Sequence, residues 1–447
     1  MANHSLSQRA HYNFGTPLVL YFIAAGIVAG ATMALFGAIQ AGAVFLLLGV
    51  LILCVARIDV CVLFLLLVRS SLDFSTEYSL LSLAPAAKLN VAAVLNLLLV
   101  IAGGIYLVMK RIAIWKLPGA RFFGVFLIVC LFTFSRTPSL PTAIADWLRN
   151  LSCLILYALV ATVFVGRRKA EIVLSIIVFS AVVPVFVGFY QKAIGEGFLS
   201  FPGFYRIYGT FFHPTAYGLY LIFIMMLIYL MLHLRRKPLQ QSGLLGLLLC
   251  CSLCLLWTYS RGAWIAALVA LGFIAVISRW KSAFVALGGV VALAAFLPEI
   301  PQRFGDVTGP TTRGSFQWRV GLWKRMVPLI SSNSVLGHGL SSFPFYAEGR
   351  AAHNDYVRLL FETGIFGFAF YLLTVLSIGF FALRQIRKDV DPFRRILSIG
   401  FVAILSGFLV ASGGQNVIMA PALQWYLWAL AGLVVSLSTR GGKTAKS

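Results

Sequence analysis

The sequence predicts an all-α, polytopic membrane protein with 12 to 14 transmembrane helices and one larger extracytoplasmic loop that bears short helices. The first observation is composition, since 60% of the 447 residues are hydrophobic and only 11% are charged. The second is that apolar runs long enough to cross a bilayer recur along the chain, as at 16–39 and 89–109. The third is that the sequence lacks the alternating ten-residue segments of a membrane β-barrel. A water-soluble globular protein is therefore excluded.

The individual spans follow from hydropathy and length. We place them at 17–39, 41–56, 58–72, 89–109, 122–135, 149–165, 171–190, 213–233, 243–259, 262–278, 283–297, 357–383, 396–412 and 421–438. The second and third are short and would form one re-entrant pair in the lower count. The first is too long for the core of a removable signal peptide, so we expect it to stay in the mature protein. The seven cysteines lie in or beside apolar runs, which indicates neither a disulfide framework nor a zinc site.

The formal net charge of +23 is explained by membrane orientation and does not indicate nucleic-acid binding. Under this threading, 22 of the 36 Lys and Arg residues fall on one side of the membrane. Most of them lie in loops at 110–121, 167–169, 235–237, 279–281, 384–395 and 440–446. Because short cytoplasmic loops are enriched in Lys and Arg, that side is predicted to be the cytoplasm, and both termini face it.

The spans and loops divide the chain into four regions. N-terminal transmembrane helices occupy 1–190, central helices with two arginine segments 191–297, an extracytoplasmic loop 298–356 and C-terminal transmembrane helices 357–447. In the loop, the Trp and basic residues of QWRVGLWKRMVPL at 317–329 predict an amphipathic helix at the membrane surface.

Three residues that are distant in sequence fall at the outer ends of predicted spans: Arg206, Arg261 and His353. Planar guanidinium groups match the oxygens of a pyrophosphate, and a neutral imidazole can take the proton of an attacking hydroxyl. Since no acidic metal cluster is visible in the sequence, we predict glycosyl transfer without a metal or other cofactor. Each residue has a structural alternative: Arg261 as a membrane anchor, Arg206 as a donor to a loop carbonyl and His353 as a helix cap.

Further polar residues lie near His353. Glu362 follows Arg358 by four residues, a spacing at which an ion pair neutralises both charges, although an acid within a membrane span also marks functional sites. His338 stands between two glycines, which favours a turn residue with a second possibility of lining the site. His213, followed by Pro214, is typical of a helix start.

These motifs resemble those of a known superfamily. The pattern of His353-Asn354, nine residues and Gly-x-x-Gly at 364–367 is similar to the signature of the O-antigen ligase and polymerase superfamily. That superfamily also includes exopolysaccharide polymerases and protein O-oligosaccharyltransferases. RIYGTF at 206–211 with the following His-Pro, SRGA at 260–263 and LGHGL at 336–340 are similar to the other motifs of that superfamily. The resemblance covers roughly residues 200 to 367.

The resemblance implies transfer of a glycan from undecaprenyl pyrophosphate to an acceptor hydroxyl on the periplasmic side of the bacterial inner membrane. Arg206 and Arg261 would then bind the pyrophosphate, and His353 would be the catalytic base. Residues that would orient the acceptor or the diphosphate are Asn354, Tyr356 and Arg358.

The motifs leave the acceptor open. An O-antigen ligase uses the core sugars of lipid A in lipopolysaccharide biosynthesis, whereas a polymerase uses the end of a second lipid-linked glycan. We favour the ligase because a basic, Trp-bearing loop suits a phosphorylated lipid acceptor. A flippase for lipid-linked sugars is an alternative from another class, but it would place charges near the bilayer midplane in repeated halves.

Overall fold

The structure is a computed structural model, and it describes residues 49–76, 81–84, 87–201, 204–234, 237–285, 288, 316–389 and 391–438. The chain forms two compact units, Met1–Ile58 and Asp59–Ser447. Apart from the helix pair Gly49–Ala56 and Ile58–Val68, the features discussed below belong to the second unit. The predicted span at 17–39, half of that at 41–56 and most of that at 283–297 lie outside the described residues.

Helices make up most of the described chain, as the composition predicts. The α-helices are α1 (Ile58–Val68), α2 (Val91–Met109), α3 (Ala120–Phe132), α4 (Leu140–Val163), α5 (Arg167–Phe179), α6 (Val182–Ile194), α7 (Pro214–Leu232), α8 (Pro238–Trp257), α9 (Arg261–Ser278), α10 (Phe316–Ser332), α11 (Phe343–Tyr346), α12 (Asp355–Lys388), α13 (Pro392–Ser412) and α14 (Pro421–Ser438). Short 3-10 helices occupy Ser70–Thr76, Ile114–Lys116 and Thr133–Arg136. Proline at the first or second position starts α4, α7, α8 and α13, because its fixed φ suits the first turn and its missing N–H is not needed there.

Nine of the described helical segments are long and apolar enough to cross a membrane, or ten if Gly49–Ala56 and Ile58–Val68 count as one broken span. They are α2, α4, the consecutive pair α5 and α6, α7, α8, α9, α12, α13 and α14. The prediction of a polytopic helical membrane protein is therefore confirmed. The predicted total of 12 to 14 spans stays a prediction, since part of the chain that it counts lies outside the described residues.

Two predicted spans differ in form from the helices that are found. The span at 122–135 corresponds to α3, whose 13 residues are short of the length that a bilayer requires. The span at 171–190 corresponds to α5 and α6, which together cover 28 residues and are separated at Ser180. The Ser180 hydroxyl lies 2.9 Å from the Tyr220 hydroxyl of α7, so the break is held against a central helix.

Two antiparallel hairpins, which the sequence did not predict, interrupt the helices. β1 (Leu81–Ala84) pairs with β2 (Ala87–Leu89), and β3 (Phe198–Phe201) pairs with β4 (Phe204–Arg206). The register of the second hairpin puts Arg206 opposite Phe198. A side chain at Gly197 would come within 2.6 Å of the Arg206 carbonyl oxygen, so glycine permits the close approach.

The centre of the helix bundle is formed by α7 and α14, whose most apolar windows are 89% and 94% buried. Trp425 of α14 is fully buried and donates its Nε1–H to the Ser152 hydroxyl of α4 at 2.9 Å. Gly432 allows α14 and α4 to approach, since a Cβ there would lie 2.9 Å from the Tyr157 carbonyl oxygen. In contrast α8 is only 17% buried and exposes apolar residues such as Leu249, which suits a lipid-facing helix.

Contacts between the described loops place them at two ends of the bundle. One end, which we call the basic end, holds the loops at 110–119, 164–166, 279–280 and 389–391. Two contacts join its loops: the Arg167 guanidinium lies 5.0 Å from the centroid of the Phe393 ring, and the rings of His233 and Trp280 stack at 3.8 Å. The opposite end, which we call the site end, holds the segments that precede α4, α7, α9, α12 and α14.

Candidate active site

The start of α12 is fixed by its cap residue, Asn354. The Asn354 side-chain oxygen accepts hydrogen bonds from the backbone N–H groups of Tyr356 at 3.0 Å and Val357 at 3.1 Å. Its side-chain NH2 group donates to the Gly413 carbonyl oxygen at 3.0 Å. Asn354 therefore satisfies the free donors of the first helical turn and ties that turn to the loop between α13 and α14.

The next two residues strengthen this attachment. The Asp355 carboxylate is fully buried and accepts hydrogen bonds from the backbone N–H groups of Val417 at 2.7 Å and Ile418 at 3.1 Å. The Tyr356 hydroxyl donates to the Leu409 carbonyl oxygen at 2.6 Å. In this structure the polar groups of Asn354 and Tyr356 are thus engaged with the protein backbone.

His353 immediately precedes this cap and has a left-handed backbone, with φ +48°. Such a conformation is uncommon for a residue other than glycine and persists where the surrounding structure imposes it. The indole N–H of Trp323 donates to the Ala352 carbonyl oxygen at 2.7 Å, and the Trp318 ring lies 6.4 Å from the His353 ring. The backbone before the cap of α12 is therefore bonded to α10, and the Trp318 ring of the same helix lies beside the imidazole.

Arg319 of α10 is the cation that acts on His353. Its guanidinium donates to the Gly414 carbonyl oxygen at 2.8 Å. Burial, and then the positive charge of Arg261, lower the pKa of Arg319 to about 10. Burial, and then the charge of Arg319, lower the pKa of His353 from 6.5 to about 4, so that its imidazole is neutral at pH 7.

Arg206 reaches the same end of the bundle through the second hairpin. Its Nε–H donates to the Thr258 carbonyl oxygen at 2.7 Å, and the backbone N–H of Ile207 donates to the Trp257 carbonyl oxygen at 3.3 Å. These bonds join β4 to the short connection between α8 and α9, on which Arg261 is the first helical residue. An arginine at this position adds its charge to the positive end of the helix dipole, an arrangement that favours a bound anion.

His213, the cap residue of α7, lies close enough to Arg206 and Arg319 for their charges to affect its pKa. Its Nδ1 accepts a hydrogen bond from the Thr215 backbone N–H at 3.1 Å. Burial, followed by Arg206, His353 and Arg319, lowers the pKa of His213 to about 3. Because Nδ1 is the acceptor, the neutral ring carries its proton on Nε2.

The structure brings the three residues singled out by the sequence, Arg206, Arg261 and His353, to one end of the bundle, and their roles remain predictions. Sequence reasoning missed Arg319, which it assigned to a surface helix, and it treated His213 only as a helix start. A signal for Arg319 exists in the sequence. It shares a helical face with two buried apolar residues at i+3 and i+7, whereas the other basic residues of α10 are exposed.

Arg358 and Glu362 lie in a buried ionic cluster one turn and two turns into α12. The Arg358 guanidinium contacts the Glu362 carboxylate at 3.1 Å and the Asp146 carboxylate of α4 at 2.7 Å. Asp146 also pairs with Arg149 at 2.6 Å. The expected i,i+4 pair is present, and the cluster contains a third partner from the first half of the chain.

The two glycine motifs fit against each other at a break in α12. Gly364 has φ +62° and ψ −167°, so the helix is interrupted there, and a Cβ would lie 2.7 Å from the Leu336 backbone N. The backbone N–H of His338 donates to the Phe361 carbonyl oxygen at 2.8 Å, one of the carbonyls that the break leaves without a helical partner. The segment at 336–340, which we call the glycine turn, therefore completes α12.

His338 is part of this turn. Its ring stacks on Tyr346 with centroids 5.0 Å apart, and its Nδ1 lies 3.2 Å from the Asn333 side-chain nitrogen. Burial, and then the charge of Arg136, lower the pKa of His338. These contacts agree with the expected turn residue, and they engage its ring within the protein.

Residues 245–372 match the model of the family described as O-antigen ligase. The matched segment includes Arg261, Arg319, the glycine turn, His353 and the break at Gly364, and it excludes Arg206. The chain has no match among the curated proteins. The family match confirms the resemblance to the O-antigen ligase and polymerase superfamily over this segment.

Proposed function

We propose that the protein is an O-antigen ligase that moves a glycan from undecaprenyl pyrophosphate to a hydroxyl of the lipid A core. The observation that carries the proposal is the group of three arginines and two neutral imidazoles that α7, α9, α10, β4 and the start of α12 bring to the site end. Its members are Arg206, Arg261, Arg319, His213 and His353. The family match over residues 245–372 supports the reaction class.

The pyrophosphate is proposed to lie among the three arginines. Guanidinium groups keep their charge and present paired N–H donors to phosphate oxygens. The first turns of α7, α9 and α12 add the positive ends of three helix dipoles. His213, with its proton on Nε2, offers a neutral donor to one of the same oxygens. The positive charge needed for a pyrophosphate leaving group is thus supplied by side chains.

The transfer itself requires one displacement. The acceptor oxygen forms a bond with the anomeric carbon while the bond from that carbon to the pyrophosphate oxygen breaks. The hydroxyl proton passes to the neutral imidazole of His353, and the electron pair of the broken bond leaves with undecaprenyl pyrophosphate. A single displacement inverts the anomeric configuration. The imidazolium then returns its proton to water.

The donor itself would make His353 a better base. In the free protein the pKa of His353 is about 4, which is low for a base that works near neutral pH. The negative charges of a bound pyrophosphate oppose the charge of Arg319 and raise the pKa of His353. The acceptor hydroxyl would therefore be activated mainly when the donor is already present.

The site is proposed to face the periplasm. The loops at the basic end carry clusters of Lys and Arg, and such loops remain in the cytoplasm during insertion. The site end then opens on the other side of the inner membrane. At that end α10 exposes Lys324, Arg325 and Val327, a combination that suits contact with a phosphorylated lipid acceptor.

The proposal is tested with purified protein in detergent, lipid-linked glycan as donor and two acceptors offered separately. Product on lipid A core, and none on a second lipid-linked glycan, is the expected result; the reverse would make the protein a polymerase. His353→Ala is expected to lower kcat by roughly 10²- to 10⁴-fold. His233→Ala removes an imidazole at the basic end and serves as the control, with unchanged turnover. Wild-type turnover in His353→Ala would overturn the assignment of the base.

A further inference from the structure

Asp146, Arg358 and Glu362 form a deeply buried ionic cluster near the site. Their exposed fractions are 5%, 7% and 1%. A buried charge is tolerated only with partners of opposite sign and good hydrogen-bond geometry. These three side chains are therefore held in one fixed arrangement.

Arg358 binds both carboxylates of this cluster. Its Nε–H donates to Glu362 Oε1 at 3.1 Å, and its Nη2 lies 2.7 Å from Asp146 Oδ2 and 3.1 Å from Glu362 Oε2. Two carboxylates occupy the guanidinium fork, so the same fork is not presented to a phosphate. Glu362 belongs to the same helix as Arg358, and Asp146 is thus the partner that joins α12 to α4.

Asp146 also holds the segment that follows the glycine turn. The Ser341 hydroxyl donates to Asp146 Oδ2 and lies 3.4 Å from the Thr142 carbonyl oxygen. Ser341 has φ +61°, a strained conformation for serine. The backbone N–H of Phe343 donates to Glu362 Oε1 at 3.3 Å. One carboxylate therefore links α4, α12 and the chain that completes the break in α12.

The glycine turn is in addition attached to the connection between α3 and α4. The Leu340 backbone N–H donates to the Thr133 hydroxyl at 3.2 Å, and the Thr137 hydroxyl donates to the Leu340 carbonyl oxygen at 2.9 Å. A Cβ at Gly339 would lie 2.6 Å from the Thr137 backbone N. The connection between α3 and α4 thus helps to hold the segment that completes α12.

The position of His353 depends on two attachments at the start of α12. Asn354 and Asp355 bind the loop between α13 and α14, and Arg358, about one turn later, binds Asp146. With both in place, neither translation nor rotation of the turn is free. A displacement of about 1 Å at a reacting group can lower a rate by roughly 100-fold.

We propose that Asp146 is a positioning residue for the transfer reaction: through Arg358 it holds the first turn of α12, and with it the imidazole of His353, in the reactive position. This inference rests on the proposed function. The donor would be bound by arginines on β4, α9 and α10, none of which belongs to the cluster. Loss of Asp146 should therefore affect the chemical step and leave donor affinity nearly unchanged.

The test compares Asp146→Asn with the wild type under donor saturation and at varied donor concentration. The amide keeps the size of the side chain but removes its charge. We expect kcat to fall 10- to 100-fold and the donor KM to change less than threefold. Asp146→Glu, which restores the charge, should recover most of the lost kcat. Glu171→Gln breaks an ion pair of 3.0 Å at the basic end and is the matched control, with wild-type kinetics.

A loss of folded enzyme is distinguished by the pH profile. The charged and titratable groups described around His353 are Arg319 and His213. If α12 moves away from Arg319, the acidic limb of kcat/KM shifts to higher pH in Asp146→Asn. A smaller active fraction would scale the profile without shifting it. A scaled profile, a wild-type kcat or an unchanged Asp146→Glu defect would each overturn the inference.

One readout does not need turnover. The rate at which diethyl pyrocarbonate modifies His353, followed by peptide mass spectrometry, should rise in Asp146→Asn and stay at the wild-type value in Glu171→Gln. An unchanged rate would refute the positioning role even if no donor is accepted. Absence of product with the wild type, together with a faster modification of His353 in Asp146→Asn, would refute the proposed function alone.

Discussion

The variant Arg319→Gln tests whether Arg319 serves to bind a ligand or to stabilise the fold. Arg319 is largely buried, it adds its charge to that of Arg261, and its own pKa falls to about 10. Each of these features opposes folding of the ligand-free protein. A pyrophosphate would turn the same features into attraction, because the anion gains from every cation that the fold has already brought together.

The size of the effect follows from the structure. The fall of the Arg319 pKa to about 10 corresponds to about 3 kcal/mol against its charged form. The hydrogen bond from its charged guanidinium to the Gly414 carbonyl oxygen, lost or weakened in the variant, is worth about 1.5 to 3 kcal/mol. The ligand-free variant is therefore expected to be more stable by up to about 1.5 kcal/mol. Loss of charge-assisted bonds to phosphate, about 1.5 to 3 kcal/mol, should weaken pyrophosphate binding by roughly 10- to 100-fold.

The assay is thermal unfolding in detergent, with and without inorganic pyrophosphate, together with the donor KM. The expected pattern is a higher unfolding temperature without ligand and a smaller rise when pyrophosphate is added. Arg325→Gln, which removes the same charge from an exposed position of the same helix, should match the wild type in both. A variant that is less stable and binds pyrophosphate normally would show that Arg319 is a structural residue.

Three further predictions concern the site. The acidic limb of the kcat/KM profile should lie near the His353 pKa of about 4 in the free protein, with activity lost as pH falls through it. The acidic limb of the kcat profile should lie at higher pH, because the bound donor raises the His353 pKa. Limbs at the same pH would contradict the role of the donor in activating His353. Arg261→Lys should lower kcat/KM at least 10-fold because an ammonium lacks the planar fork, and wild-type turnover would reduce Arg261 to an anchor. Gly364→Ala should destabilise the protein by about 3 kcal/mol or more, since φ +62° is strained and the Cβ meets backbone, whereas Gly104→Ala, with nothing within 4 Å, should not. Thermal unfolding of the two glycine variants decides the last prediction.

The helical membrane fold could be predicted because it depends on local properties of the sequence. A bilayer demands long apolar runs, and Lys and Arg mark the loops between them. The break at Gly364 could not be placed by hydropathy, because α12 remains apolar through it and the missing backbone bonds are supplied by a segment about 25 residues earlier. The short hairpin that carries Arg206 also lacks a clear strand pattern.

The candidate site could be predicted where its residues lie in motifs and could not where they act through distant contacts. Arg206, Arg261 and His353 each stand at the end of an apolar run. Asp146 gives no comparable signal: it is 212 residues from Arg358, and nothing in the local sequence of α4 names its partner. Such pairs depend on the tertiary arrangement that brings α4 and α12 within side-chain reach, which a single sequence does not specify.

The boundary of the family match has a practical meaning for protein engineering. Residues 245–372 contain Arg358 and Glu362 but leave Asp146 behind. A chimera that grafts this segment onto the amino-terminal half of another chain with the same family match would import an arginine without its interhelical counterion, unless the recipient supplies an acid at the equivalent place. Such a graft therefore calls for moving a small piece of α4 along with the matched segment.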